Sequence, residues 1–420
     1  MLKRLIGLFI IFSPFTSYFA FSAWFRLPVI LLLLVYIFFS IKILHRGKIS
    51  TKFLFIVNIS DIILLLLLIT IVFSSMLNYT ENRAFSHTIA SVFVFLMYFV
   101  LLKKIIDFEN LDYTYILKMF AISSFICGAI IIVDWILINY YNIGFRGYFV
   151  RVDHKLANML YYQKPYFVSV GGVAEEPGSM ALLMNIIAPL GMLYYKIKRK
   201  YWILLFLFGT YLLSMIFLSS SAGIICLCMA ILVAFLHRIN FKWHLRKNLL
   251  LLYTLLFVLA IGIIFYITYT YNGVVIAQIN EIKTKVFLSD RNSSSHIRSY
   301  VWKEAIINWL NNPFFGNGPG ASISEYIVGY HSVYLTFLAD TGIISLLLFL
   351  LFLFIAYKKI VRIKAVNNYY LMIPFMSVAF HFAVIGDFYH APFWILLIVI
   401  HMIYKKERTN NENIGSYTSI

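Results

Sequence analysis

Long uninterrupted apolar runs separated by short basic clusters make up this chain. Leu249 to Thr270 and Ile343 to Tyr357, for example, carry no charge at all. A helix needs roughly 20 apolar residues to cross a bilayer, and these runs have that scale. They are continuous rather than alternating, so they predict helices and not the strands of a barrel. In lipid every backbone N–H and C=O must be satisfied internally, which a helix achieves within itself. About twelve spans are expected, near residues 5–24, 27–44, 53–76, 84–102, 115–139, 177–195, 201–218, 222–237, 249–270, 331–356, 368–386 and 391–404. The first follows Lys3-Arg4 and has no small-x-small cleavage site, so it reads as an uncleaved span and not a signal peptide.

Composition agrees with that pattern. Of 420 residues, 62% are apolar and only 12% charged, where a soluble domain has about 25% charged. Too few charges remain to cover a water-facing surface. The net charge of +18 would suit nucleic acid, but its distribution excludes that partner. Lys and Arg cluster in His45–Lys52, Lys103-Lys104, Lys196–Lys200, Arg238–Lys247, Lys358–Lys364 and Lys405–Arg408. With Lys3, Arg4, Lys42 and Lys118 these hold most of the 35 basic residues. All fall on one side if both ends are cytoplasmic, which satisfies the positive-inside rule throughout. The expectation is therefore an all-α polytopic protein of the bacterial inner membrane, in contact with membrane lipids. Residues 1–408 form its single transmembrane domain and 409–420 a disordered cytoplasmic tail. Cys127, Cys226 and Cys228 lie in apolar runs, as structural thiols do.

Two outer loops stand out by length, about 140–176 and 271–330, and place the polar chemistry on the outer, periplasmic face. The first contains Arg146-Gly147-Tyr148 and Arg151 and ends in Glu175-Glu176-Pro177-Gly178-Ser179. Pro177 suits the first helical position, so Glu176 is either a helix-start carboxylate favoured by the dipole or a carboxylate facing a polar cavity. Ser219-Ser220-Ser221-Ala222-Gly223 is either a close-packing turn or the floor of a polar site. The second loop contains Arg291 and Arg298. Ile297, Val301, Ala305 and Trp309, with Trp302, Ile306 and Leu310 beside them, recur at helical spacing and predict an amphipathic helix at the interface. Gly316, Gly318 and Gly320 form either a plain loop or a phosphate cradle. His331 opens the tenth span, and Asp61, Asp134, Asp340, His381 and Asp387 are the notable polar residues of the spans, with Asp387 and His390 bracketing the last outer turn. No His, Cys or Asp group has metal-ligand spacing, so no metal and no cofactor is expected.

The order of these elements is more specific than any one of them. Glu176-Pro177 is followed by the serine-glycine turn, then Arg298-x-x-x-Trp302, then Pro313-x-x-Gly316-x-Gly318-x-Gly320, then His331-x-x-Tyr334-Leu335 and Asp340-x-Gly342. This resembles the O-antigen ligase and polymerase superfamily, membrane glycosyltransferases of GT-C-like type acting on undecaprenyl-diphosphate-linked glycans. The sequence departs from it in two places, with His331-Ser332 where His-Asn is common and Ser221-Ala222 where Ser-Arg is common. The resemblance implies catalytic roles for Arg298, His331 and Glu176. It also implies substrate binding by Arg146, Arg151, Arg291, Tyr334 and Trp302. Glu176-Pro177 with Arg146-Gly147 looks more like Wzy-type polymerases of lipopolysaccharide biosynthesis. The alternatives are ligation to lipid A core or protein, and a lipid-linked oligosaccharide flippase. Donor and acceptor would both be undecaprenyl-diphosphate-linked oligosaccharides, with chain length set by a separate regulator protein.

Overall fold

The computed structural model describes residues 1–17, 19, 25–46, 58–79, 83–144, 161–163, 167–239, 294–321, 329–364 and 368–417. Among these the structure is helical apart from one small ribbon. The helices are α1 (Leu2–Phe12), α2 (Leu27–Arg46), α3 (Ile59–Leu77), α4 (Ala84–Phe108), α5 (Tyr113–Tyr141) and α6 (Pro177–Ile197), followed by α7 (Tyr201–Leu218), α8 (Ser221–Ile239), α9 (Ser294–Asn311), α10 (Val333–Arg362), α11 (Tyr369–His381) and α12 (Ala391–Tyr417). Strands β1 (Tyr161–Gln163) and β2 (Val168–Val170) pair antiparallel between α5 and α6.

Seven of the described helices, α2 to α7 and α10, are long and apolar enough to cross a membrane. The expected span over 249–270 lies outside the described residues. The expected first span over 5–24 is instead a short helix ending at Phe12, where Pro14 cannot continue the hydrogen-bond ladder and the Ser13 hydroxyl donates to the Ile10 carbonyl. α12 continues past Arg408 to Tyr417, into the segment expected to be a tail.

The bundle is built around α6, which packs on α5, α7, α8, α11 and α12 and is buried from Ser179 to Leu193. The first half of α12 is equally enclosed, with Trp394 wholly buried among Phe95, Phe99, Phe352 and Phe393. The outer surface is apolar too. Ile62, Leu65, Leu66, Ile69 and Phe73 are exposed along α3, and Trp202, Leu205, Phe206 and Leu213 along α7. A surface of that kind is stable in lipid and not in water.

Charges inside such a bundle have to be paired. Lys103 does not lie in a loop, as its place beside Lys104 suggests, because α4 runs on to Phe108. Lys103 is buried and pairs with buried Asp61 at the start of α3. Asp61 also accepts the Asn58 backbone N–H at 3.1 Å, closing the cap of α3. Close by, Lys359 at the end of α10 donates to the Ser60 hydroxyl at 2.7 Å. Inside α4 the π-helical turn Val94–Leu101 loosens the ladder, and the Tyr36 hydroxyl donates to the Met97 carbonyl there. Cys127 and Cys226 are buried free thiols, while Cys228 is exposed.

Removing Asp61 leaves Lys103 buried without its counter-charge, a loss of about 3–5 kcal/mol. The variant Asp61→Ala should lower abundance and thermal stability in detergent, and Asp61→Ala combined with Lys103→Met should recover much of both. A double variant no more stable than the single one would show that the pair is not what holds this end.

Candidate functional site

The site begins with a broken helix. Within α10, Gly342 has φ +82° and ψ 174°, so the ladder is interrupted inside the bundle. The glycine-rich run after α9 takes up the groups set free. The Asn317 N–H donates to the Ala339 carbonyl at 3.0 Å and the Gly318 N–H to the Asp340 carbonyl at 2.9 Å. The Ile343 N–H donates to the Pro313 carbonyl at 2.9 Å, and the Gly320 N–H to the Asp340 carboxylate at 3.0 Å. From the other side the Ser74 hydroxyl donates to the Asp340 carbonyl at 3.1 Å, and Asn78 Nδ2 to the Gly316 carbonyl at 3.3 Å. Pro313-x-x-Gly316-x-Gly318-x-Gly320 and Asp340-x-Gly342 are thus two halves of one clamp. The amides that could have cradled phosphate are bonded within the protein instead, Gly318 and Gly320 to α10 and Gly316 to the Asn312 carbonyl. Ser74 and Asn78 carry no signal of this in the sequence, being small polar residues at the end of an apolar run.

The clamp fixes α9, whose Val301 and Ala305 pack against Tyr330 and Ala339. Asn308 Nδ2 donates to the Tyr330 hydroxyl at 2.7 Å, and the Trp309 indole N–H donates to the Pro313 carbonyl at 3.0 Å. A helix therefore stands where one was expected and is bound to the bundle, but its apolar side chains are spread over more than one face and not gathered on a single one. Its second apolar strip, Ile306, Ile307 and Leu310, remains exposed. Arg298 lies one turn before Trp302 on this helix, and the Trp302 indole N–H is buried with no partner among the described residues.

His331 stands just before α10 with φ +49°, a left-handed conformation uncommon for histidine. Ser332 caps α10, its hydroxyl accepting the Leu335 N–H at 3.4 Å. The Val333 N–H is shared between the Phe382 and Ile385 carbonyls, each at 2.8 Å, so the turn between α11 and α12 lies directly against His331. A Cβ on Gly386 would come within 3.6 Å of the His331 nitrogen. Tyr334, expected at the substrate, donates its hydroxyl to the Ala379 carbonyl at 2.7 Å and sets its ring near Phe349 and Phe382. Its visible role is to hold α10 against α11.

Glu176 is the N-cap residue of α6, exposed and not bonded to the helix amides. Among the described residues only the Ser179 hydroxyl donates to it, at 3.3 Å. The approach to it is pinned in several places. Asn139 bonds both backbone groups of Val168, at 2.7 and 2.9 Å. The Ser17 N–H donates to the Val173 carbonyl at 3.2 Å, and Arg26 pairs with Glu175 at 2.7 Å. In the serine-glycine turn, the Ser220 hydroxyl accepts the Gly223 N–H at 3.2 Å, and a Cβ on Gly223 would lie 2.4 Å from that of Ala181. The turn is a close-packing device against α6.

Arg298 is coupled electrostatically to both Glu176 and His331. Burial pulls the Arg298 guanidinium below its ordinary value, and the Glu176 carboxylate pulls it back up. Burial, reinforced by the Arg298 charge, holds the His331 imidazole below its usual value, which keeps it neutral at pH 7. A cation, a neutral imidazole and a carboxylate are therefore linked electrostatically through Arg298. They are well suited to hold an anionic group and to accept a proton beside it. Arg146, Arg151 and Arg291 lie outside the described residues.

Residues 206–350 match the protein-family model described as O-antigen ligase. The resemblance to the O-antigen ligase and polymerase superfamily is real. The matched segment is about a third of the chain and includes the serine-glycine turn, Arg298, the clamp and His331, while Glu176 precedes it. No curated protein matches the chain. The apolar helices and the matched segment together suggest a multi-pass membrane protein.

A Cβ on Gly342 would lie 2.0 Å from the Phe314 carbonyl oxygen, and one on Gly316 2.4 Å from the Asp340 carbonyl carbon. Both contacts are with backbone, and both glycines have positive φ. Gly342→Ala and Gly316→Ala should each cost about 3 kcal/mol or more. In detergent, thermal melting should fall and protease cleavage near residue 320 should appear. A wild-type melting point in both variants would refute the clamp.

Proposed function

We propose that this chain polymerises an O-antigen or related surface polysaccharide at the periplasmic face of the bacterial inner membrane. It moves the growing glycan from undecaprenyl diphosphate onto a sugar hydroxyl of a lipid-linked repeat unit. The observation that carries this reading is the placing of Arg298 within electrostatic reach of both Glu176 and His331.

In the transfer, the bond between the sugar's anomeric carbon and the diphosphate oxygen breaks, and a bond from that carbon to the acceptor oxygen forms. The leaving diphosphate keeps the electron pair, so negative charge grows on it. Arg298, a permanently charged planar fork, stabilises that charge, and Arg146, Arg151 and Arg291 are the further cations expected beside it. The acceptor hydroxyl gives its proton to His331 or Glu176. The unpartnered Trp302 indole N–H is a donor for the substrate. The chemistry uses no metal and no cofactor. Chain length is set by a separate regulator protein.

The description of the matched family favours a second reading, ligation of the finished glycan to lipid A core or to a protein. The transfer step is the same and only the acceptor differs. The surface-glycan banding of a deletion strain separates the two. Core carrying a single repeat unit is the expected pattern for a polymerase, and bare core with lipid-linked polymer accumulating would make the chain the ligase.

In the complemented strain, Arg298→Ala and His331→Ala should each lower transfer on the order of 10²-fold or more, with the protein inserted and abundant. Full-length glycan in either variant removes that residue from the site. The rate should also fall on the acid side only as His331 becomes protonated. Because its value is held below the usual 6.5, the acid limb of the rate profile should lie below pH 6.5. A limb at or above 6.5 would contradict the neutral, Arg298-shadowed imidazole.

A further inference from the structure

The turn between α11 and α12 holds polar groups that the transfer step above does not use. His381, the last residue of α11, and His390, just before α12, are 2% and 5% exposed. Each has a buried ring nitrogen with no hydrogen-bond partner among the described residues, Nδ1 in His381 and Nε2 in His390. A native structure rarely leaves such atoms unsatisfied unless water or a ligand completes them. His390 Nε2 is 4.0 Å from the carboxylate of Asp387, whose side chain is 43% exposed. The Tyr389 N–H donates to that carboxylate at 2.8 Å and fixes its direction.

This row adjoins the first site in two independent ways. The backbone of the turn is bonded to Val333, and Gly386 lies against His331. The charge of Arg298 also reaches His381, which in turn feels His390. The row therefore runs from an exposed carboxylate at the mouth, through two buried imidazoles, to the residue assigned to the diphosphate.

We propose that Asp387, His390 and His381 form the acceptor subsite, which binds hydroxyl groups of the incoming sugar beside the Arg298–His331 pair. The inference rests on the glycosyltransferase reading and adds to it the place where the second substrate sits. Its chemistry differs from that of the donor half. The row carries one fixed negative charge and two imidazoles, a mixture of acceptors and donors that suits a neutral polyol. The Asp387 carboxylate would repel a diphosphate. Buried imidazoles left unpaired by the wrong ligand also discriminate strongly, since each hydroxyl they bind replaces an unmade hydrogen bond.

The test uses the full chain with Asp387→Asn, His390→Gln and His381→Gln, read in two assays. One is glycan transfer in the complemented deletion strain. The other is binding of undecaprenyl diphosphate, the donor headgroup without its sugar, to the purified protein. Transfer should fall about tenfold or more in each variant, while undecaprenyl diphosphate binds as it does to wild type. Arg298→Ala should lose both. Asp387→Asn alters an exposed side chain, so its result stands even if a buried histidine variant fails to fold. Unchanged transfer in Asp387→Asn and His390→Gln overturns the subsite. Loss of undecaprenyl diphosphate binding in well-folded variants also overturns it, by assigning the row to the donor. A wild-type chain that neither restores glycan nor binds the lipid overturns the glycosyltransferase reading and the subsite together.

Discussion

An apolar bundle admits a broken helix only where other groups take up the backbone hydrogen bonds that the break sets free. The break at Gly342 is the constraint on which the outer end of this molecule depends. Three backbone amides of the glycine-rich run and the Ser74 hydroxyl of α3 bond to α10 beside it, and the Ile343 amide of α10 bonds back to the Pro313 carbonyl. That run is continuous with α9, so satisfying the break also fixes the helix that carries Arg298. The first turns of α10 are fixed at the same time, and His331 immediately precedes them. A structural requirement of the membrane-spanning part thus becomes the positioning device of the site.

The two ends of the bundle use polar groups differently. At one end Asp61 meets Lys103 and Lys359 meets Ser60, each charge matched by a partner inside the bundle. At the other, Glu176 is exposed and weakly held, and Trp302, His381 and His390 keep buried nitrogens without partners among the described residues. Paired groups of the first kind stabilise a fold. Unpaired groups of the second kind cost stability, about 1–3 kcal/mol each, and are retained where a ligand completes them.

Much of this was legible in the sequence because lipid imposes simple rules. The apolar runs at 59–77, 113–141, 177–197 and 201–218 are helices close to where hydropathy places them, and Pro177 starts α6 as expected. The order of short motifs singled out Glu176, Arg298 and His331, which are far apart in the chain, and in the fold Arg298 is coupled electrostatically to the other two. Hydropathy could not reveal the break at Gly342, since the run from Ile343 onward continues the helix without a polar interruption. Nor could it reveal that Lys103 is buried, because its partner Asp61 is 42 residues away and lies in another helix. Tyr334 and the glycine run drew functional expectations because tyrosine hydroxyls and glycine amides serve ligands and backbones alike. Only their partners, the Ala379 carbonyl and the carbonyls of Ala339 and Asp340, decide between the two.

The most direct measurement is an experimental map of the full chain in a lipid nanodisc with undecaprenyl diphosphate bound. The diphosphate is predicted to lie at the outer mouth, in contact with Arg298 and beside His331, with the amides of Asn317, Gly318 and Gly320 still bonded to α10. A diphosphate seated on the amides of Gly316, Gly318 and Gly320, or away from Arg298 altogether, would contradict this description of the site.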